Sequence, residues 1–287
     1  MDGVLLIDKP KGWTSTRVVE KVRRKIKVKV GHTGTLDPIA TGLLVLLTGR
    51  ATRFSWIFQK LPKTYEVTGL LGVVTDTYDL EGDVLEEREV KVSCEELEGV
   101  LENFRGEIDQ VPPPFSAKRI RGKRAYDLAR RGIKPDLKPV KVTVHRLDLK
   151  DCRIPEFTLI AEVSSGTYVR TLIHDIGREL SCGAVVKDLV RKKVGPFSLE
   201  EAVSLDEFLS SDDPDRFIMR VDEGLSFLPP VNLNAFDGRK VLTGGQVLVS
   251  GSAERGYVRI YVDGDFVGVG LLAGGVLKPE RLMTPKS

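Results

Sequence analysis

The sequence predicts an α+β fold, and three features of the chain support that class. Residues 4–7 form an apolar run of strand length, and the segment after them carries Val18, Val19, Val22 and Ile26 at helical spacing. Later strands and helices alternate irregularly, without the successive strand-helix-strand repeats of a parallel doubly wound sheet. Glycines punctuate the short apolar runs near the end of the chain, which indicates a small β-barrel or sandwich there.

The elements can be placed in order along the chain. Thr14 or Ser15 can cap the first helix, because a hydroxyl oxygen accepts a free amide hydrogen of the first turn. The apolar run at residues 43–47 indicates a buried element, and residues 63–68 alternate as in a strand that includes Tyr65. Spacing further predicts helices at residues 95–104, 124–131 and 184–191, a strand, glycine break and helix start within 162–177, and strands at 241–248, 257–262 and 266–272.

Changes in composition divide the chain into a large and a small unit. An acidic, interrupted stretch begins near residue 204 and ends at Pro229 and Pro230. Prolines and short polar runs of this kind are typical of domain boundaries. We therefore expect one domain at residues 1–229 and a second at residues 230–287.

Composition argues against several classes of protein. Cys94, Cys152 and Cys182 are too few and too scattered for a disulfide framework, and the three histidines lack the spacing of metal ligands. The acids within residues 75–83 lack the ligand pattern of a calcium loop and indicate a polar turn. No apolar stretch approaches a signal peptide or a membrane span. We expect no metal, no membrane partner and a reducing, cytoplasmic setting.

Positive charge is concentrated in two segments. Residues 1–63 contain 13 lysines and arginines against four acids, although the whole chain carries a net charge of only +3. A second basic segment follows the prolines at 112–114. Such segments are either solvated surface or a face that binds a polyanion such as an RNA backbone. The candidate backbone contacts in the second segment are Lys118, Arg119, Arg121, Lys123 and Arg124.

Residues 31–43 form the most distinctive loop of the chain. Three glycines, three threonines and Pro38 surround Asp37, and no other carboxylate lies between Glu20 and Glu66. Glycine permits tight turns and proline fixes the chain after the acid, so Asp37 should lie on a stiff loop. A carboxylate held in this way can act as a nucleophile or a base. The alternative is a turn that only ends one element and begins the next.

Arg170 is a second candidate site residue. It follows a predicted strand and a glycine break, where a half-buried arginine would need an anion. Asp37 is one candidate for that anion. The alternative is an ordinary ion pair with Asp175 or Glu162.

Six motifs in order along the chain resemble those of the bacterial tRNA pseudouridine synthase B family. Each motif alone is weak evidence, but the ordered set is specific and extends over nearly the whole chain. The matching segments are residues 8–15 (DKPKGWTS), 31–38 (GHTGTLDP), 63–65 (KTY), 113–117 (PPFSA), 122–126 (GKRAY) and 166–171 (GTYVRT).

The resemblance implies a function and an architecture. The expected reaction is isomerisation of the T-loop uridine at tRNA position 55 to pseudouridine, with extrusion of the base. The expected fold is a catalytic domain built on a central, mostly antiparallel mixed sheet, followed by a small PUA-like RNA-binding domain at residues 230–287. Residues 111–141 correspond to an arm that closes on the RNA. No cofactor is expected, because the reaction involves no redox change and no group donor.

The resemblance also implies roles for individual residues. Asp37 matches the catalytic aspartate, Tyr65 the tyrosine packed on the target base, and Arg170 the arginine paired with the aspartate. His32 matches the residue that enters the T loop. The other implied substrate contacts are Thr33, Lys9, Lys63, Tyr168 and Leu189.

The chemistry leaves two roles open for Asp37. The reaction breaks the N1–C1′ bond, turns the uracil and joins C5 to C1′. Asp37 could attack the sugar or base covalently, or it could remove the C2′ proton to give a glycal. Both roles require an ionised carboxylate, which a neighbouring arginine favours.

Three other functions remain as alternatives to a stand-alone enzyme. A guide-RNA-dependent synthase usually carries longer terminal extensions for partner proteins, whereas this chain begins almost at its first motif. A tRNA chaperone without activity would not need Asp37, Tyr65 and Arg170 together. An aspartate-dependent hydrolase would need a second isolated carboxylate or a histidine partner. We therefore expect a monomer with tRNA as its partner and no obligate protein partner.

Overall fold

The structure is a computed structural model that describes residues 1–115, 119–120, 123–124, 137–249 and 255–283, with the backbone alone at 119–120 and 123–124. Most of its strands belong to one large mixed sheet. In chain order the strands are β1 (Gly3–Lys9), β2 (Val30–His32), β3 (Ala40–Thr48), β4 (Lys63–Leu71), β5 (Val73–Thr75), β6 (Val84–Glu87), β7 (Gly106–Gln110), β8 (Arg119–Ile120), β9 (Lys123–Arg124), β10 (Val140–Arg153), β11 (Glu156–Val163), β12 (Ala184–Val194), β13 (Phe197–Ser198), β14 (Val203–Ser204), β15 (Ile218–Arg220), β16 (Pro230–Leu233), β17 (Val247–Leu248), β18 (Gly256–Val262), β19 (Asp265–Ala273) and β20 (Val276–Leu282).

The described α-helices lie mainly on the faces of this sheet. In chain order they are α1 (Ser15–Ile26), α2 (Ser55–Gln59), α3 (Cys94–Leu101), α4 (Val169–Glu179), α5 (Leu205–Ser210), α6 (Val221–Gly224) and α7 (Ala235–Leu242).

The large sheet has 11 strands, in the order β14-β1-β3-β12-β4-β11-β10-β7, with β15, β2 and β13 pairing with β1, β3 and β12. The pairs β1–β14 and β3–β12 are parallel, and the other pairs within the described part of this sheet are antiparallel. The prediction of an α+β fold with a mostly antiparallel mixed sheet is confirmed.

The central strands of the sheet are buried on both faces. In β3, Leu44 and Leu46 pack into the core that also contains α1 and α4, whereas Leu43, Val45 and Leu47 pack into a core on the opposite face. Successive side chains of a strand point to opposite faces, so one apolar run fills both cores. The predicted buried element at 43–47 is confirmed, and it supports the residues 31–39 that precede it.

Helix α1 begins where the sequence predicts. The Thr14 hydroxyl accepts a hydrogen bond of 3.1 Å from the Arg17 amide at the N-terminus. Lys27 adopts a left-handed conformation after the last turn, and its amide donates to the Arg23 carbonyl. Val18, Val22 and Ile26 are buried, so the predicted stripe is the face that packs on the sheet.

The helix predicted at 95–104 is also confirmed, since α3 continues as a 3₁₀ turn at Glu102–Phe104. The helix predicted at 124–131 lies almost wholly outside the described residues. In the basic segment before it, β8 pairs with β9 in antiparallel register.

A second sheet of five strands, in the order β16-β18-β19-β20-β17, follows at the end of the chain. It packs against the large sheet through side chains of both. Val269 belongs to the core behind β3, and Trp56 contacts Tyr257 edge to face with ring centroids 4.7 Å apart. The Arg259 guanidinium also donates to the carbonyls of Asp222 and Leu228.

The β-rich end of the chain differs in detail from the prediction. Its described strands form one sheet with α7 beside it, not a sandwich of two sheets. The strand predicted at 241–248 is wrong for most of its length, because α7 extends through Leu242 and only Val247–Leu248 is a strand. Asn234 caps this helix by accepting hydrogen bonds from the amides of Phe236 and Asp237. The strand prediction overlooked this cap because it relied on the apolar run.

The helix predicted at 184–191 is wrong, because these residues belong to β12. Irregularities in pairing with β4 fall between Val186 and Asp188 and again between Arg191 and Lys193. Each shift interrupts the alternation of buried and exposed side chains, so the apolar residues take on an apparent helical spacing. The strand is nevertheless central, since it joins β3 to β4.

The sequence predicts no disulfide framework, but the structure contains one disulfide. A disulfide joins Cys94, at the start of α3, to Cys152, near the end of β10, whereas Cys182 is free and buried. The two residues are 58 positions apart in the sequence. Packing of α3 against β10 brings them together, and no local cysteine spacing could indicate that contact.

Gly42 is required where β3 pairs with β12. Its φ is +97°, and a Cβ atom there would lie 2.5 Å from the Arg191 carbonyl oxygen. Gly42→Ala is therefore expected to lower the free energy of unfolding by about 2–4 kcal/mol, measured by guanidinium denaturation.

Gly99→Ala is the matched control for this prediction. Gly99 lies in α3, and nothing lies within 4 Å of a Cβ atom built there. The substitution should stabilise the protein by about 0.5–1 kcal/mol, because alanine is the better helix former. Equal effects at both positions would contradict the steric argument for Gly42.

Candidate functional site

The loop that carries Asp37 connects β2 to β3 and is held from two sides. The Ser15 hydroxyl donates to the Leu36 carbonyl at 3.0 Å and accepts from the Leu36 amide at 2.8 Å. The Gly12 amide donates to the Pro38 carbonyl at 2.8 Å. The residue before Asp37 and the residue after it are therefore both fixed, as the sequence predicts for a stiff loop.

Arg191 holds the same loop from the sheet. Its guanidinium donates to the carbonyls of Leu43 at 2.7 Å, Gly34 at 3.0 Å and Thr35 at 3.3 Å, and the residue is 2% exposed. These carbonyls lie toward opposite ends of the loop, so one side chain sets the distance between the two ends. The sequence analysis missed Arg191 because it assigned this segment to a helix.

Asp37 and Arg170 form an ion pair at the wall of a cavity. The Arg170 Nε donates to an Asp37 carboxylate oxygen at 2.8 Å, with side-chain exposures of 6% for Arg170 and 37% for Asp37. Of the three carboxylates that the sequence offered as partners of Arg170, Asp37 is the one that pairs with it. Among the described residues the carboxylate therefore pairs with Arg170, and it remains open to solvent on its other side.

The remaining donors of Arg170 fix the orientation of its guanidinium. They reach the Thr77 carbonyl at 2.8 Å and the Phe115 carbonyl at 3.0 Å, and Nη1 lies 3.7 Å from a carboxylate oxygen of Asp79. Asp79 has a side-chain exposure of only 6%. A planar guanidinium with this many partners has little freedom to turn, so Asp37 is held against a fixed charge.

Asp79 is a site residue that the sequence analysis missed. It lies in the segment interpreted as a polar turn, which the structure confirms as a turn between β5 and β6. Its carboxylate accepts from the Thr77 hydroxyl at 2.7 Å and the Glu81 amide at 3.1 Å. Several closely spaced acids share this turn, so the sequence offers no local signal for the buried one.

The cavity beside the ion pair has a volume of about 300 Å³. Of the nine candidate catalytic and substrate-binding residues, seven line it, and they come from four different parts of the fold. They are Thr33, Asp37, Lys63, Tyr65, Tyr168, Arg170 and Leu189.

The aromatic walls of the cavity are fixed by the surrounding structure. Tyr65 is 8% exposed on β4, in register with Arg191 of β12. The buried Gln110 side chain donates to the Tyr168 carbonyl at 3.0 Å and accepts from the Tyr168 amide at 2.7 Å. Gln110 ends β7 and was not identified from the sequence. It ties the start of α4 to the strand before residues 111–115.

Lys9 and His32 do not line the cavity. The Lys9 ammonium donates to the carbonyls of Trp13 at 2.6 Å and Pro10 at 3.1 Å, behind the Asp37 loop. Burial lowers the pKa of Lys9 to about 8, against the opposing effect of the Asp37 charge. The His32 Nδ1 is buried without a partner among the described residues, and burial followed by the charge of Arg191 lowers the pKa of His32.

Lys63 lies on the cavity wall at the start of β4. Its ammonium donates to the Gln59 carbonyl at 2.7 Å and also to the Leu61 carbonyl. Burial is the main cause, and the charge of Arg191 the second, of a pKa lowered to about 8. The wall around Asp37 is therefore rich in positive charge.

The candidate RNA-backbone residues are only partly described. Arg119, Lys123 and Arg124 lie on β8 and β9, whereas Lys118 and Arg121 lie outside the described residues. Within the described ranges, no cluster of three or more histidine, cysteine, aspartate or glutamate side chains could hold a metal ion. No described helix is long and apolar enough to cross a membrane.

Three family models match consecutive parts of the chain. Residues 21–169 match the model described as TruB family pseudouridylate synthase (N terminal domain). Residues 170–226 match the tRNA pseudouridylate synthase B C-terminal domain, and residues 229–283 match pseudouridine synthase II TruB, C-terminal.

Full-length relatives and solved structures agree with these matches. The chain is 54% identical over 286 residues to the tRNA pseudouridine synthase B of Aquifex aeolicus strain VF5, covering 99% of this chain and 100% of that protein. It is 41% identical to the protein of the same name from Azoarcus sp. strain BH72, covering 100% and 96% of the two chains.

The fold is shared with a chain of an H/ACA ribonucleoprotein bound to a substrate RNA containing 2′-deoxyuridine. The TM-score is 0.75 at 24% identity, over 99% of this chain and 85% of that one. Family models cover both the Asp37 loop and Arg170, and the identity to full-length relatives is high. The chain therefore belongs to the TruB family of pseudouridylate synthases.

Proposed function

We propose that this protein isomerises the T-loop uridine at position 55 of tRNA to pseudouridine, with Asp37 as the catalytic carboxylate. The observation that carries the proposal is the Asp37–Arg170 pair at the wall of the cavity that Tyr65 also lines. A fixed arginine lies against the carboxylate, and the open side of Asp37 faces space that can hold a base.

The uridine must leave the folded loop to reach Asp37. Extruding a base costs a few kcal/mol, which contacts inside the pocket must offset. Tyr65, Tyr168 and Leu189 provide apolar and aromatic walls for this purpose. We assign His32 and the basic hairpin at β8 and β9 to contacts with the surrounding RNA.

The reaction proposed here needs no cofactor. Asp37 either bonds to the sugar or base, or takes the C2′ proton to give a glycal, and both routes use the same pair of residues. The two relatives named tRNA pseudouridine synthase B align with this chain along nearly their whole length. We therefore propose a monomeric, stand-alone enzyme, which acts where its tRNA substrate is found, in the cytoplasm.

Tritium release tests the reaction and its position together. A tRNA transcript labelled with tritium at uracil C5 is incubated with the purified protein, without metal or cofactor. Isomerisation replaces the C5–H bond by the C5–C1′ bond, so about one tritium per tRNA should enter water. A transcript with cytidine at position 55 should release none. Equal release from both transcripts would contradict position 55, and no release from either would contradict the activity.

The ring of Tyr65 is expected to hold the extruded base by stacking, which contributes roughly 1–3 kcal/mol per base. Tyr65→Phe should therefore retain most of the single-turnover rate, whereas Tyr65→Ala should lose about 10- to 100-fold. The measurement is tritium release with enzyme in excess. If both variants lose activity equally, the hydroxyl has the essential role and the stacking argument fails.

A further inference from the structure

Arg191 is a buried cation that forms no ion pair with an acid among the described residues. It is 2% exposed, and its three hydrogen bonds go to backbone carbonyls. No carboxylate forms an ion pair with it in the part of the chain that the structure describes. Burying a charge without a counterion is costly, even where carbonyl dipoles satisfy its donors. Holding the loop alone would not require a full charge at this position.

The position of Arg191 relates this charge to the cavity. Arg191 on β12 and Tyr65 on β4 are partners in register, and register partners have side chains on the same face of the sheet. Both residues line the cavity that contains Asp37. A base that packs on Tyr65 would therefore have the guanidinium of Arg191 at its side.

Lys63 adds a second cation to the same wall. Its ammonium is hydrogen-bonded to two backbone carbonyls, and no described carboxylate forms an ion pair with it. The charge of Arg191 contributes, after burial, to the lowered pKa values of both Lys63 and His32. The charge of Arg191 therefore acts on Lys63, which lines the same cavity. Asp37 does not neutralise this wall, since Arg170 is already its partner.

The proposed reaction creates a negative charge in this cavity. When the N1–C1′ bond breaks, its electron pair stays on N1 and spreads over the ring to O2 and O4. The deficit at C1′ is met by a bond to the Asp37 carboxylate, or by loss of the C2′ proton to that carboxylate. The ring remains an anion until C5 bonds to C1′, as the bond from C1′ to Asp37 breaks or as Asp37 returns the proton to C2′. The C5 proton then leaves and N1 takes up a proton. Positive groups fixed before the reaction stabilise such an intermediate without reorganisation.

We propose that Arg191, assisted by Lys63, stabilises the uracil anion after the N1–C1′ bond breaks. This role rests on the proposed function and adds a catalytic group to it. Arg191 thus has two tasks, since the same guanidinium holds the carbonyls of Gly34, Thr35 and Leu43. The two tasks depend differently on the substrate. Holding the loop is independent of how well the ring carries a negative charge, whereas stabilising the uracil anion is not.

The test compares uridine with 5-fluorouridine at position 55. Fluorine makes the ring a better anion, so the 5-fluoro substrate depends less on stabilisation by the protein. The two transcripts are prepared by ligation, and disappearance of the parent nucleoside is followed with enzyme in excess by nuclease digestion and chromatography. Arg191→Gln should slow the uridine reaction by about 10²–10³-fold, as loss of an oxyanion donor does. The loss on 5-fluorouridine should be at least about tenfold smaller.

Two further variants complete the experiment. Lys63→Gln should shift the ratio of the two rates in the same direction by a smaller factor, and it carries the test if Arg191→Gln does not fold. Arg259→Gln is the matched control, since this arginine also donates to backbone carbonyls but lies in the second sheet. Its ratio should equal that of the unsubstituted protein.

The outcomes separate this inference from the function on which it rests. If the unsubstituted protein consumes neither transcript, the proposed function fails and the role of Arg191 fails with it. If the unsubstituted protein is active and Arg191→Gln loses the same factor on both substrates, Arg191 acts only through the loop and the inference is overturned.

Discussion

Asp37→Asn is expected to abolish isomerisation while leaving tRNA binding nearly unchanged. The amide cannot bond to C1′ as a carboxylate does, and it cannot take up the C2′ proton, so both proposed routes are closed. We expect the rate of tritium release to fall by about 10⁴-fold or more, as for other residues that act directly on the substrate. The affinity for tRNA should change by less than about threefold, because one neutral amide replaces one carboxylate among many RNA contacts.

A surface carboxylate provides the control for the Asp37 prediction. Asp212→Asn removes an exposed carboxylate, and both activity and binding should be unaffected. A filter-binding assay and tritium release on the same preparations separate affinity from chemistry. Retained turnover in Asp37→Asn would remove this residue from the mechanism. Loss of tRNA binding with a normal fold would make Asp37 a binding residue instead.

The Asp37 loop could be found from the sequence because its signals are local. Glycines, a proline and a lone acid within 13 residues indicate a stiff turn regardless of what packs against it. The same holds for α1, whose cap at Thr14 and stripe of Val18, Val22 and Ile26 are one-segment patterns. The motif order then identified the family, which no single segment could.

Residues that act through distant contacts could not be found in this way. Asp79 differs from the neighbouring acids only in being buried beside Arg170, and that burial results from the whole fold. Cys94 and Cys152 meet because α3 packs on β10. The Gln110 side chain forms hydrogen bonds with the backbone of Tyr168, which lies at a distant position in the sequence.

Arg191 shows how one wrong assignment hides a site residue. If residues 184–191 formed a helix, Arg191 would lie on its outer face, where a solvated charge needs no explanation. As a central strand between β3 and β4, the same residues place it between the Asp37 loop and Tyr65. The pairing shifts that disguise the strand occur on either side of Leu189, which lines the cavity. Irregular strands are common next to active sites, where they redirect a side chain.

Arg170→Met is expected to lower both stability and activity. The substitution leaves Asp79 buried without its cation and removes the donors to the carbonyls of Thr77 and Phe115. Breaking a buried ion pair by removing one partner costs about 3–5 kcal/mol, which guanidinium denaturation would measure. Turnover should also fall steeply, since Asp37 loses the group that holds it in place.

Arg178→Met is the matched control on the same helix. Its guanidinium pairs with Asp175 but is 75% exposed, so the free energy of unfolding should change by less than about 1 kcal/mol. A change in this control as large as that of Arg170→Met would show that the helix, and not the buried pair, is responsible.

A double variant separates the structural role of Arg170 from its catalytic role. Asp79→Asn keeps a side chain that can hydrogen-bond to Thr77 and Glu81 but removes the charge that Arg170 compensates. In the Arg170→Met background it should restore at least about 1 kcal/mol of stability, because no unpaired charge remains buried. It should restore no turnover, because Asp37 still lacks its partner. Recovery of turnover together with stability would mean that Arg170 serves the fold alone, and Asp37 would then need no fixed cation beside it.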